Sequence, residues 1–273
     1  MSIALQNVVV EYASKRILDG IDLEIDAGEF VSIVGETGCG KSTLLRLILA
    51  EEHPTHGRVL VQGKERSRPD RTCGYVPQRY SLFPDKTVLD NVTFGLEVTT
   101  RGFAWRKRKQ FREDALRYLR HTGLMEADAR KYPHQLSGGM QQRVAIAQVL
   151  IMKPPVLLMD EAFSALDPGT RRGMQKLMRE LWRESGTTVV FVTHNTQEAL
   201  CLGSRVVALK RQCDTGSAVA LDLEVPHLDF DSDEDELSGL IAKVESASVN
   251  AAADTMQPSP MRRRGPGTVK IAT

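Results

Sequence analysis

Apolar and polar residues alternate over residues 3–12 and again over 17–25, and the turn between the two runs holds Ser14, Lys15 and Arg16. Alternation of this kind marks strands with one buried face, so the chain opens on an antiparallel β layer. Phe30-Val31-Ser32-Ile33-Val34 is different, an almost wholly apolar run expected of a strand covered on both faces. It leads into a glycine-rich turn and then a helical pattern from about Lys41 to Ala50. The apolar-strand signal returns at Val156–Met159 and Thr187–Thr193, each followed by a helix-like segment. This rhythm predicts an α/β core built on a mostly parallel sheet with crossover helices.

Between these halves the pattern changes. From about Val88 to Leu150 strand signals vanish and helix formers dominate, which predicts a separate helical subdomain over about 88–152. Within it, Gly102 to Arg112 carries the basic run Arg106-Lys107-Arg108-Lys109, read as a solvated helix face, with a lipid-headgroup contact as the alternative. After about Lys210 the β/α rhythm ends. The acidic stretch Asp229–Glu236 and the Ala-, Ser-, Pro- and Arg-containing sequence after it predict a partly disordered tail over 211–273.

Composition adds exclusions. With 273 residues, 41% of them hydrophobic, the chain can bury a large core, and a formal net charge of +1 gives no reason to expect nucleic acid as a partner. The four cysteines are widely spaced and form no CxxC pair, which argues against a zinc knuckle or disulfide framework and suits a reducing compartment. The first residues lack the basic start and unbroken apolar core of a secretory signal. No stretch approaches the roughly 20 apolar residues that span a bilayer. Any action on a membrane is therefore expected from the cytoplasmic side, through a partner.

Two motifs carry chemistry. Gly35-Glu36-Thr37-Gly38-Cys39-Gly40-Lys41-Ser42 matches the phosphate-binding pattern G-x-x-x-x-G-K-S/T and lies between a predicted strand and a predicted helix. Its glycines let the backbone wrap around phosphate, and the helix N-terminus behind it favours an anion. Lys41 is expected on the β- and γ-phosphates and Ser42 on Mg²⁺, with Thr43 adding a phosphate contact. The strand Val156–Met159 ends in Asp160-Glu161, at the sheet edge where ligands of open α/β sheets bind. Asp160 is expected to hold Mg²⁺, often through water, and Glu161 to act as general base toward the attacking water.

Leu136-Ser137-Gly138-Gly139-Met140-Gln141-Gln142-Arg143, shortly before that acidic strand end, resembles the signature motif of the ABC ATPases. The rest of the family's set follows over about residues 1–210. Tyr12 resembles the adenine-stacking aromatic, Gln78 in Tyr75-Val76-Pro77-Gln78 the Q-loop glutamine, Ser164-Ala165-Leu166-Asp167 the D-loop, and His194 the switch histidine. The resemblance implies an ABC-type ATP-binding domain over 1–210 with a P-loop NTPase core, an antiparallel β subdomain and a helical signature-motif subdomain. It implies ATP and Mg²⁺ as cofactors, with Gln78 joining Ser42 and Asp160 at the metal. It also implies that Ser137, Gly138, Gly139 and Asp167 meet the nucleotide held by a second copy, in a head-to-tail dimer. The wording after Gln78, around the signature and after His194 is most similar to the ATPases of bacterial nitrate, sulfonate and taurine importers. The implied setting is the cytoplasmic face of a bacterial inner membrane, beside integral membrane permease subunits and, indirectly, a substrate-binding protein. Two positions depart from the family: Ala162 stands where proline is usual and Asn195 where aspartate is usual. A soluble ABC ATPase acting on ribosomes or DNA is the alternative, though such proteins usually join two motor units or carry a long coiled-coil insertion, and neither is visible.

Overall fold

The structure is a computed structural model and describes residues 1–13, 15–79, 82–100, 104–164, 166–212, 215–225 and 234–248. Strands β1 (Ile3–Tyr12), β2 (Lys15–Ile25) and β3 (Phe30–Val34) are followed by helix α1 (Lys41–Leu49), then by β4 (His56–Val61), β5 (Lys64–Glu65) and β6 (Cys73–Val76). Helices α2 (Val88–Thr99), α3 (Ala104–His121) and α4 (Gly138–Leu150) come next, with short 3-10 turns at Glu126–Arg130 and Pro133–Gln135. Then come β7 (Val156–Asp160), α5 (Pro168–Ser185), β8 (Thr188–Val192), α6 (Thr196–Leu202), β9 (Arg205–Gln212), β10 (Gly216–Glu224) and α7 (Glu234–Ser248).

The ten strands form one sheet in the order β5-β4-β1-β2-β10-β9-β3-β8-β7-β6. From β9 to β6 every neighbour is parallel, and β3, β7 and β8 are buried at every position, as their almost wholly apolar runs require. β1, β2, β4 and β5 pair antiparallel. The expected antiparallel layer is thus an arm of the same sheet, joined where β10 runs parallel to β2 at Ser217 and Leu18.

Packing divides the molecule. One cluster fills the space between the antiparallel arm, α1 and one face of the parallel strands, with Ile21, Ile33, Leu44, Leu158 and Val190 inside it. On the opposite face α5 lays Met174 and Met178 over Met159, Phe191 and Phe163. A third cluster joins α2, α3 and α4 through Val92, Leu119 and Val144, so the helical segment owns its own core. Asn91, fully buried in α2, donates to the carbonyls of Phe83, Lys86 and Thr87 and accepts from the amide of Phe83. That one side chain fixes the loop leading from the sheet into the helices.

The C-terminal part differs from the expected tail. The boundary expected at 210 falls inside β9, and β10 returns antiparallel along it. α7 then covers the central strands β9 and β10 with Leu237, Leu240, Ile241 and Val244, which pack with Leu221, Leu223, Val225 and Leu200. The physical reason is that α7 buries a single apolar face against β9 and β10, which lie side by side in the middle of the sheet. Most of the acidic stretch Asp229–Glu236, and all of the chain after 248, lie outside the described residues.

Candidate functional site

The chain leaves β3 at Val34 and turns through Gly35, Gly38 and Gly40, all at positive φ (153°, 81° and 91°). A methyl group at Gly35 would come within 2.5 Å of the Leu209 carbonyl oxygen, and one at Gly40 within 2.6 Å of Leu18 Cδ2, so neither position admits a side chain. Lys41 opens α1 and is buried. Its ammonium donates to the carbonyls of Gly35 at 2.7 Å and Glu36 at 2.9 Å, closing the loop on itself. Gly40, the N-cap of α1, has no side chain to cap it, which leaves the first-turn amides to an anion. Cys39 packs beneath the loop, and burial pushes its thiol up against the opposing charge of Lys41.

Over this loop lies a cleft of about 530 Å³, lined by Tyr12 and Ile17, by Thr37, Gly38 and Gly40 through Thr43, and by Gln78, Glu161 and His194. Tyr12 is exposed and its hydroxyl donates to Glu52, so its ring stands at the mouth of the cleft.

β7 carries the acids to the same place. Asp160 is buried, and burial pushes its carboxyl up, reinforced by the neighbouring Glu161 charge and opposed by the Ser42 hydroxyl and Lys41. Tyr75 stands against the same carboxylate, and burial together with that charge pushes its phenol up to about 12. A buried carboxylate beside a hydroxyl is an all-oxygen donor pair suited to Mg²⁺, with phosphate oxygens supplying the rest. Among the described residues there is no cluster of three or more His, Cys, Asp or Glu that could hold a metal ion.

Glu161 leaves the strand with φ 46° while its amide donates to the Val192 carbonyl at 2.9 Å. Its carboxylate is flanked on both sides. Gln78 Nε2 donates to Oε2 at 2.8 Å, and His194 Nδ1 lies 3.2 Å from Oε1. Parallel pairing explains the meeting, because Gln78 follows β6, Glu161 follows β7 and His194 follows β8, three adjacent strands ending at one edge.

Ser137, Gly138, Gly139 and Asp167 are not brought to this cleft. Ser137 is the exposed N-cap of α4, its Oγ accepting from the Met140 amide at 3.3 Å. Asp167 caps α5, accepting the Thr170 amide at 3.1 Å, and hydrogen bonds from the Thr170 hydroxyl and then its amide hold the carboxyl below the usual range. These two helix starts are neighbours, since a methyl group at Gly139 would lie 3.2 Å from Leu166 Cδ2. Ala165, between them in the chain, lies outside the described residues.

Three groups were not singled out from the sequence: Arg171, Gln175 and Glu198. Glu198 is largely buried and accepts from the Thr193 hydroxyl and from Gln175 Nε2 at 2.6 Å; burial raises its pKa. Asn195 caps α6 by accepting the Glu198 amide at 2.9 Å, a role that aspartate fills equally well. Ala162, the other departure, is fully buried beneath the turn.

A family model described as ABC transporter matches residues 18–164. The aliphatic sulfonates import ATP-binding protein of Zymomonas mobilis is 41% identical over 226 residues, covering 83% of this chain and 87% of that protein. The spermidine/putrescine import ATP-binding protein of Marinobacter nauticus is 44% identical over 214 residues, 76% of this chain and 55% of that one. Among solved structures, a dimeric post-hydrolysis state of an ATP-binding cassette bound to ADP and Pi superposes with a TM-score of 0.70 at 35% identity, over 83% of this chain and 100% of that one.

Proposed function

The chain belongs to the ABC transporter family and is one of its ATPases, and from that premise we propose that it is the motor subunit of an importer, working as a head-to-tail homodimer on a separate permease. The observation that carries this reading is the flanked Glu161. A carboxylate held by Gln78 and His194 in a cleft also lined by Tyr12 and Lys41 suits a general base facing a terminal phosphate.

In this reading the amides of the Gly35–Ser42 loop and the Lys41 ammonium bind the phosphates, Thr43 adds a contact, and Tyr12 stacks on adenine. Ser42 and Asp160 would hold Mg²⁺, with Gln78 beside them, and the ion would supply positive charge to the phosphates. Glu161 takes the proton of the attacking water and His194 contacts the γ-phosphate. Ser137, Gly138, Gly139 and Asp167 serve the nucleotide of the second copy, so binding closes the pair and hydrolysis releases it. The retained caps at Asn195 and the buried site of Ala162 fit tuning of turnover rather than its loss.

Gln78 and the segment from Arg79 to Pro84, of which Tyr80 and Ser81 lie outside the described residues, pass the motion to the permease. Among the described residues no helix is long and apolar enough to cross a membrane, which fits a subunit bound at the cytoplasmic face. The likeness to a sulfonate-import ATPase supports a small anion or nitrogen- or sulfur-containing cargo, delivered by a substrate-binding protein.

Affinity purification from gently solubilised membranes of the native host tests this. A multi-span permease recovered in stoichiometric amount supports the reading, whereas ribosomes or DNA in its place favour the soluble class.

A further inference from the structure

Arg171, in the first turn of α5, belongs to none of the motifs above, yet its guanidinium is devoted to one short segment. Nε donates to the carbonyl of Phe163 at 3.1 Å, and Nη2 donates to those of Ser164 at 3.3 Å and Leu166 at 2.8 Å. Its own amide donates to the Asp167 carbonyl at 2.8 Å. A rigid, planar cation with several fixed donors suits this task, and a lysine, with one flexible ammonium, does not reproduce it.

The segment needs holding. Glu161 enters it with φ 46°, a left-handed conformation that costs a non-glycine residue on the order of 1–3 kcal/mol. Among the described residues the turn's own backbone bonds run from the Ser164 amide to the Glu161 carbonyl at 3.0 Å and from the Leu166 amide to the Phe163 carbonyl at 3.2 Å. Arg171 adds three, all from the helix that Asp167 caps. Beside it a small polar cavity of about 50 Å³ is lined also by Glu161, His194 and Glu198, so Arg171 and Glu161 border the same space.

We infer that Arg171 is a positioning residue for hydrolysis: it splints the turn from Glu161 to Asp167, keeping the Glu161 carboxylate between Gln78 and His194 while Asp167 stays seated on α5. The inference rests on the reading of Glu161 as general base. It joins the acid at one end of the turn to the D-loop aspartate at the other through a single side chain.

The test compares the full-length wild type with R171K and R171A by hydrogen exchange of nucleotide-free protein and by steady-state ATPase kinetics. In R171K the amides of Ser164 to Asp167 exchange about tenfold faster while β7 and β8 keep their protection. Its kcat falls roughly tenfold and KM for ATP stays within about twofold, because a misplaced base slows the step without weakening binding. R171A serves as the second variant and moves further in the same direction. Unchanged exchange at those amides overturns the splint. Faster exchange with unchanged kcat overturns the link to catalysis, as does a loss of kcat matched by loss of protection throughout β7 and β8. A wild type that shows the exchange contrast with R171K but hydrolyses no ATP removes the general-base reading and leaves only the splint.

Discussion

The molecule carries two helix N-termini prepared by glycine, and they are built differently. At α1 the loop glycines at positive φ curl the backbone around Lys41, Gly40 supplies no cap, and the adjoining strand ends add Asp160, Glu161, Gln78 and His194. At α4 the N-cap Ser137 already satisfies an amide, Gly138 is exposed, and no residue of that end lines the cleft. In the reading proposed above, the first is an anion site with charge, metal donors and base around it. The second offers amides alone and, in the same reading, is a half-site for a phosphate held by something else. One protein with one complete half and one bare half suits self-association about a two-fold axis.

Breaking either half has large effects, and the complete half loses both binding and chemistry. E161Q removes the proton acceptor, and its ATPase rate falls on the order of 100-fold or more while ATP still binds, as single-turnover and binding assays measure. K41A acts earlier, removing a charged hydrogen-bond donor from phosphate; affinity falls by about 2 kcal/mol, roughly 30-fold, in a titration with a fluorescent nucleotide. S137R breaks the bare half instead. It leaves nucleotide affinity of the isolated chain intact but lowers turnover roughly as far as E161Q does, a contrast that equal losses of affinity and turnover would erase. Y12A sharpens the comparison at the mouth of the cleft, weakening binding by about 1 kcal/mol through lost stacking and leaving kcat unchanged.

The smallest effect lies away from both halves. Asp128 accepts from the Lys131 ammonium at 2.7 Å and from the Met125 amide at 2.9 Å, and Lys131 holds its carboxyl below the usual range. A depressed carboxylate stabilises the fold above its unfolded pKa, and that contribution is lost as pH falls through the folded value. D128N therefore lowers stability by about 1 kcal/mol at neutral pH, and the gap to wild type narrows in acid, as thermal melts across pH would show.

The parallel core and the phosphate loop were legible because each rests on local pattern: almost wholly apolar runs for β3, β7 and β8, and glycine spacing fixed by backbone reversal. Glu161 and His194 were placed at one sheet edge by their own strands, whereas Gln78 was named only by its resemblance to the family's Q-loop. Arg171, Gln175 and Glu198 were not legible, because their partners are carbonyls and buried oxygens set by the turn and by α5, and no spacing rule records those contacts. The C-terminal segment was misread although its signal was present. Val219, Leu221 and Leu223 alternate, and Leu237, Leu240, Ile241 and Val244 recur at helical spacing, but the acidic residues between them drew the reading toward a solvated tail.

The most direct measurement is the mass of E161Q in solution, by light scattering, with and without ATP. Without nucleotide the expected mass is that of one 30.3 kDa chain, and with ATP it doubles, since each bound phosphate gains the partner's Ser137 and Gly138. A mass that stays at one chain while ATP is demonstrably bound would contradict a site completed by a second copy.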